Sequence, residues 1–208
     1  GGGAAQMPGR SPEGRDGLVG TIIGGVGEKR IVTGQKIRPG DVLIGLPSTG
    51  LQTNGYALAR KIICEQQKKS LKDLVPGTKR TFEDVLLAVH GSFLKPVLAV
   101  RESGARIHGM AHITGGGLVD NVPRMLPKTT DAVFDRASWK VPPIFTWLQE
   151  KGRVDPMEMF RVFNMGIGYV IAVPRKDAAK ALNALERAKA SPIVVGAIEK
   201  GSGITRFR

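Results

Sequence analysis

The run His112-Ile113-Thr114-Gly115-Gly116-Gly117-Leu118-Val119-Asp120-Asn121-Val122-Pro123-Arg124 constrains the fold more than any other stretch of this 208-residue chain. It follows Ala105 to Met110, a segment with strand character, and opens a short apolar segment with helical character. Glycine loses more conformational freedom on folding than any other residue. Three in succession therefore mark a place where the backbone turns tightly or comes close to something else. A glycine turn leading into a helix also presents backbone N–H groups at the positive end of the helix dipole, which suits a phosphate. For Gly-Gly-Gly standing alone, a tight turn without a ligand is the stronger reading. Two further runs bear on the choice.

The first is Leu46-Pro47-Ser48-Thr49-Gly50-Leu51-Gln52-Thr53-Asn54-Gly55-Tyr56, which follows the short apolar run Val42 to Leu46. That length suits a buried strand, and Tyr56, Ala59, Ile62 and Ile63 then recur at helical spacing. The loop between offers the hydroxyls of Ser48, Thr49 and Thr53 and the amides of Gln52 and Asn54. Such groups can hold a polar, phosphorylated small molecule without a metal. Capping of the helix by Thr53 or Asn54 is the alternative. The second run is Met159 to Tyr169. Asp155-Pro156 with Glu158 predicts an N-cap, a first-turn proline and a capping-box partner. Met159, Phe160 and Phe163 form an apolar stripe that reads as core, and Tyr169 to Val173 reads as a strand buried on both faces. Asn164 and Gly166 between them are candidates for a site or a tight turn.

Elsewhere, residues 1–16 start directly in a glycine- and proline-containing motif, which predicts a truncated chain. Leu18 to Val26 and Ile31 to Val32 read as strands closing an amino-terminal domain, so residues 1–36 form its tail and 37–208 the main domain. Thr81 with Asp84 predicts a helix start for Phe82 to Val89. Phe93 to Val100 is apolar, with Pro96 near its beginning. Pro142-Pro143 begins a helix through Glu150. Ala178, Ala181, Leu182, Leu185 and Ala188 mark an amphipathic helix before the strand Ile193 to Ile198. Strands alternate with helices. The predicted class is α+β (α/β-like), a mixed sheet covered by helices with a strand-containing remnant of an amino-terminal domain.

Composition excludes several classes. No uninterrupted apolar stretch is long enough to span a bilayer, and no charged-then-apolar secretory leader opens the chain. The single cysteine, Cys64, excludes an internal disulfide, fits a reducing cytoplasmic compartment, and in its predicted helix reads as core. His90, His108 and His112 stand apart without zinc-ligand spacing, so no metal site is assigned. The net charge of +13 points to nucleic acid, a membrane surface or an anionic metabolite. Its densest clusters, Lys68-Lys69 with Lys72 and Lys79-Arg80, interleave with no aromatics, and aromatics are only 5% of the chain. Stacking platforms for single strands are therefore few, and a solvated basic surface is favoured over a nucleic-acid site.

Several stretches together resemble the phosphoribosylformylglycinamidine cyclo-ligase (aminoimidazole ribonucleotide synthetase) family of purine biosynthesis. They are Pro39 to Ser48, the Thr53-Asn54-Gly55-Tyr56 loop, Gly109 to Gly117, Phe163 to Gly168, Gln6-Met7-Pro8-Gly9 and Val195 to Ile198. The resemblance covers nearly the whole chain in order, but only the second half of that family's polypeptide. The part where the family keeps most of its ATP-binding acidic and lysine residues is absent here. Two departures stand out. Gly3 and Gln6 are neutral where the family usually carries glutamates, which puts metal binding through that segment in doubt. Gln52 stands where the family usually has histidine, and an amide cannot transfer protons near neutral pH.

The resemblance implies ATP and Mg2+ as cofactors, a phosphorylated small-molecule substrate, and a homodimer formed through or with the amino-terminal domain, while composition argues against a membrane partner and disfavours a nucleic-acid partner. It also implies the reaction. ATP phosphorylates the amide oxygen of formylglycinamidine ribonucleotide, an internal nitrogen attacks the activated carbon, and phosphate leaves as the imidazole ring closes. The candidate substrate or phosphate contacts are Gly50, Gln52, Thr53, Asn54, Thr114, Gly115, Gly116, Gly117 and Asn121. Asn164 and Gly166 are the candidate cofactor contacts. His112 is the acid–base candidate, with a hydrogen-bonded structural histidine as its alternative. Two other functions stay open: another ATP-dependent phosphotransfer enzyme of the superfamily, and a non-catalytic nucleotide- or nucleic-acid-binding domain.

Overall fold

Near-continuous apolar runs and their flanking turns organise the chain around one sheet. The computed structural model describes Thr21 and residues 23–208. Gly3, Gln6 and the opening motif lie outside these residues. Two compact units divide the chain, Gly1–Ile31 and Val32–Arg208. In the described part of the first, a single 3-10 turn spans Glu28–Arg30, and residues 23–27 form no strand. The strand expected over Leu18 to Val26 is corrected at those positions; the rest of it, save Thr21, lies outside the described residues. Gly24, Gly25 and Gly27 bring no side chains to pack, which weakens a strand there. Ile31 and Val32 are also irregular.

The second unit holds six strands: β1 Val42–Pro47, β2 Gly109–His112, β3 Thr130–Phe134, β4 Ile167–Val173, β5 Ile193–Lys200 and β6 Thr205–Phe207. Their order is β2-β4-β1-β5-β3-β6, antiparallel throughout except for the parallel pair β3–β6. The sheet is therefore mixed and the class α+β, as the alternation of elements predicts. β1 and β4 occupy neighbouring inner positions, with Val42 opposite Val173 and Ile44 opposite Ile171. Both faces of that pair are covered, which is why both strands read as nearly unbroken apolar text.

Seven α-helices accompany the sheet in this unit: α1 Tyr56–Arg60, α2 Phe82–Leu86, α3 Leu94–Glu102, α4 Gly117–Asn121, α5 Pro143–Gly152, α6 Pro156–Val162 and α7 Ala178–Arg187. Strand alternation divides the core in two. Ile44, Leu46, Ile171 and Val173 meet Val100 of α3 and Ala181 and Leu185 of α7. Leu43, Val170, Ala172 and Val195 point the other way, into a larger core built with α1, α2, α4, α5 and α6.

Local signals set the helix ends. Thr81 and Asp84 close a capping box, with Thr81 Oγ1 accepting from Asp84 N at 3.1 Å and the Asp84 carboxylate accepting from Thr81 N at 2.8 Å. α2 stops at Leu86, short of the expected Val89. Asp155 caps α6 by accepting from Met157 N and Glu158 N, while Glu158 pairs with Arg161 at 3.4 Å. β2 begins at Gly109 instead of Ala105, since Arg106 N donates to the Asp177 carboxylate at 3.2 Å. α1 continues as a π-helix, Lys61–Gln66, that buries Ile62 and Ile63 and leaves Cys64 exposed. This corrects the core placement expected for the cysteine.

Candidate functional site

The loop after β1 meets the turn that leads into β4, and Asn164 locks the two together. The sharp turn Asn164-Met165-Gly166 combines positive φ at Met165 and Gly166. Asn164 is fully buried and all its polar capacity is used. Its Oδ1 accepts from Ser48 Oγ and Gly166 N, each at 2.8 Å, and its Nδ2 donates to the carbonyls of Gly50 (2.8 Å) and Leu51 (3.2 Å). Any influence of Asn164 on a cofactor passes through the loop it holds. Gly50 packs on α2, where an added Cβ would lie 2.9 Å from the Val85 carbonyl oxygen.

The glycine turn 115–117 is braced in the same way from within. Asn121 is buried, and its Nδ2 donates to Gly117 O at 2.8 Å and to the carbonyls of Thr114 and Gly115, each at 3.2 Å. Its Oδ1 accepts from Thr114 Oγ1 at 3.2 Å. Gly117 has φ +55, and a Cβ there would collide with the Phe160 carbonyl oxygen at the end of α6. Gly116 has φ +98 and faces the Asp120 side chain, whose carboxylate oxygen would be 3.2 Å from an added Cβ. Both glycines therefore serve the backbone. Gly115 differs: it is exposed, it has no positive φ, and nothing lies within 4 Å of the place its Cβ would take. The fold does not require glycine there.

The least satisfied polar group on the loop after β1 is Gln52, beside Gly168 of β4. Gln52 is 5% exposed and has φ +60, and neither its Nε2 nor its Oε1 has a hydrogen-bond partner. A buried amide without partners costs about 1–3 kcal/mol, so any group that reached it would gain by supplying them. Gly168 makes room for it: a Cβ there would meet Phe93 Cζ at 2.6 Å and Gln52 Nε2 at 2.8 Å. Asn54 Nδ2 donates to Val162 O at 3.0 Å, and its Oδ1 is buried and unpartnered. Thr53 is exposed on the same loop, and the helix N-cap is Gly55, so neither Thr53 nor Asn54 caps α1.

Phe93 links this amide to a ring cluster. Its centroid lies 5.2 Å from Tyr169 and 5.9 Å from His112, and His90 stands 5.3 Å from His112. The two histidines meet at Nε2···Nε2 3.3 Å. His112 ends β2 opposite Tyr169 of β4, which fixes its direction. Its imidazole titrates below the ordinary histidine value because of partial burial and, secondarily, the neighbouring His90. Burial raises the Tyr169 phenol. Neutral His112 is thus favoured near pH 7, which suits a proton acceptor.

The fold brings the predicted residues to the strand-end region around β4: Asn164 of the turn before β4 holds the 48–51 loop, His112 ends β2 opposite Tyr169, and Ile113 N, just before the turn 114–117 that Asn121 braces, donates to Gly168 O at 2.9 Å. His90, Phe93 and Tyr169 were not among the sequence candidates. His90 is 22 residues from His112, with no motif around it, so only folding brings the two together.

A family profile described as AIR synthase related protein, C-terminal domain, matches residues 38–207, and the chain belongs to that family. Its relatives include the phosphoribosylformylglycinamidine cyclo-ligase of Bacillus pumilus (strain SAFR-032), 42% identical over 205 residues, which cover 99% of this chain and 59% of that protein. The Bacillus subtilis (strain 168) cyclo-ligase is 41% identical over the same shares. The chain thus spans about 59% of the length of these relatives. Among solved structures, the hydrogenase maturation protein HypE superposes with TM-score 0.57 at 14% identity, over 84% of this chain and 51% of that one. That likeness shows the shared fold.

Proposed function

We propose that this chain is the carboxy-terminal part of an ATP-dependent cyclo-ligase that converts formylglycinamidine ribonucleotide to aminoimidazole ribonucleotide, and that turnover requires an amino-terminal part. Residues 1–36 are the tail of that part and 37–208 the domain that receives substrate. The enzyme works in the cytoplasm as a homodimer formed with the amino-terminal domain. The observation that carries the reading is the buried, unpartnered Gln52 amide. Its Nε2–H and Oε1 complement an amide or amidine, which both donates and accepts.

Gln52 orients the reacting group, and Asn54 Oδ1 and Thr53 add polar contacts from the same loop. The open side of Gly115 admits the substrate phosphate, while Thr114, Gly116, Gly117 and Asn121 hold the turn in shape. His112 takes the proton lost by the attacking nitrogen. Asn164 and Gly166 act on a bound nucleotide by fixing the 48–51 loop. ATP supplies the phosphoryl group that turns the amide oxygen into a leaving group. Among the described residues no group of three or more His, Cys, Asp or Glu could hold a metal ion; the Mg2+ that accompanies ATP would be held by the nucleotide and the amino-terminal part.

Calorimetry and a coupled ADP-release assay test the proposal. The isolated chain should bind formylglycinamidine ribonucleotide without turnover. Adding the unmatched amino-terminal part of the Bacillus pumilus relative as a separate polypeptide should restore ADP release. Gly115→Val should keep the fold by circular dichroism and lose binding. Absence of substrate binding, or turnover of about 1 s⁻¹ by the isolated chain, would overturn it.

A further inference from the structure

The pair His90–His112 brings two imidazole nitrogens to a separation that a hydrogen bond between neutral rings allows and that one shared ion also fits. The Nε2···Nε2 separation is 3.3 Å. Two imidazole nitrogens each about 2.0–2.1 Å from one tetrahedral ion stand about 3.3–3.4 Å apart, and the centroids of their rings stand about 5.2 Å apart. The centroids here are 5.3 Å apart with the ring planes at 43°. The rings therefore converge through their Nε2 atoms instead of stacking.

Both histidines are held before any ligand arrives. Thr49 Oγ1 donates to Val89 O at 2.8 Å and accepts from Gly91 N at 3.2 Å, which pins the backbone on either side of His90. His112 is the last residue of β2, paired with Tyr169. Phe93 packs against both imidazoles. Anchored ligands lose less freedom on binding an ion than mobile ones.

We infer that His90 and His112 form a two-imidazole site for a borderline divalent cation of the Zn2+ type, with its remaining positions open to water or an anionic ligand. Imidazole suits Zn2+, Ni2+ and Cu2+, whereas Mg2+ prefers oxygen. No third His, Cys, Asp or Glu stands with the pair among the described residues, so the ion stays open. The inference does not rest on the proposed ring closure. The ion and the proton compete for the same His112 lone pair, so Zn2+ would act as an inhibitor that must leave before His112 can serve as the base of the proposed ring closure.

The test is calorimetry of the full 208-residue chain with ZnCl2, in a Cys64→Ser background that removes the exposed thiol. One ion per chain should bind, and MgCl2 should give no heat. Losing even a partner of a ligand costs metal sites about 10–100-fold in affinity, so His90→Ala and His112→Ala should each weaken Zn2+ at least about tenfold. Circular dichroism checks each fold. As a measurement free of mutation, Ni2+ should broaden the His90 and His112 imidazole NMR signals and spare His108. Zn2+ affinity unchanged in both folded variants, or broadening that misses the pair, overturns the inference.

Discussion

The glycine turn 114–117 and the Gln52–His112 cluster lie side by side, yet they treat their polar groups in opposite ways. In the turn, Asn121 and Thr114 spend their hydrogen bonds on each other and on the backbone, and Gly116 and Gly117 are required by φ and by close packing. In the cluster, a buried amide is left without partners and two imidazole nitrogens meet at 3.3 Å. Conspicuous sequence therefore marks where the chain is hard to fold, whereas unpaired chemistry marks where it is ready to bind.

Asn164→Ala should produce the largest effect, because Asn164 belongs to the internally satisfied side of this contrast. It strips partners from Ser48, Gly50, Leu51 and Gly166 at once. With each stranded group worth about 1–3 kcal/mol before relaxation, the expected loss is about 3 kcal/mol, read by urea denaturation. A loss under about 0.5 kcal/mol would mean the brace is not what joins the loops.

Gln52→Leu should move stability the other way. It removes an unpartnered buried amide and should stabilise the fold by about 1 kcal/mol while weakening substrate binding. A destabilised variant with unchanged affinity would show that Gln52 is an ordinary core residue and would dissolve the comparison.

The smallest expected effect is on titration. His112 should titrate below about 6.5 by NMR, and His90→Ala should move it upward by removing the neighbouring imidazole. The folded chain holds this proton less readily than the unfolded one. The group's contribution to stability is therefore complete above the unfolded value and is lost as pH falls through the lowered folded value. An upward-shifted His112 would reverse that sign and place an unseen anion beside it.

Much of the fold was legible in the residues. The apolar runs of β1, β4 and β5, the Thr81–Asp84 capping box and the Asp155-Pro156 start of α6 rest on local periodicity and capping, which nearest neighbours along the chain decide. β2 began later than expected because Arg106 found Asp177, a partner 71 residues away. Cys64 faces outward because Ala59, Ile62 and Ile63 share the buried stripe, and the residue after Ile63 is rotated about a quarter-turn away from it.

By itself the sequence determined the family, the mixed sheet under helices and the loops that end its strands, since these depend on pattern and on glycine and proline chemistry. Only the tertiary structure decided which polar residues were already spent and which remained free to bind. Asn164 and Gln52 look equally eligible in the text, with an amide apiece. One is enclosed by four partners and the other by none. That difference is set by contacts across more than a hundred residues of chain for Asn164, and for His90 by a strand end 22 residues away. Hydrogen bonding is short-ranged in space and indifferent to sequence distance, so no reading along the chain could have assigned it.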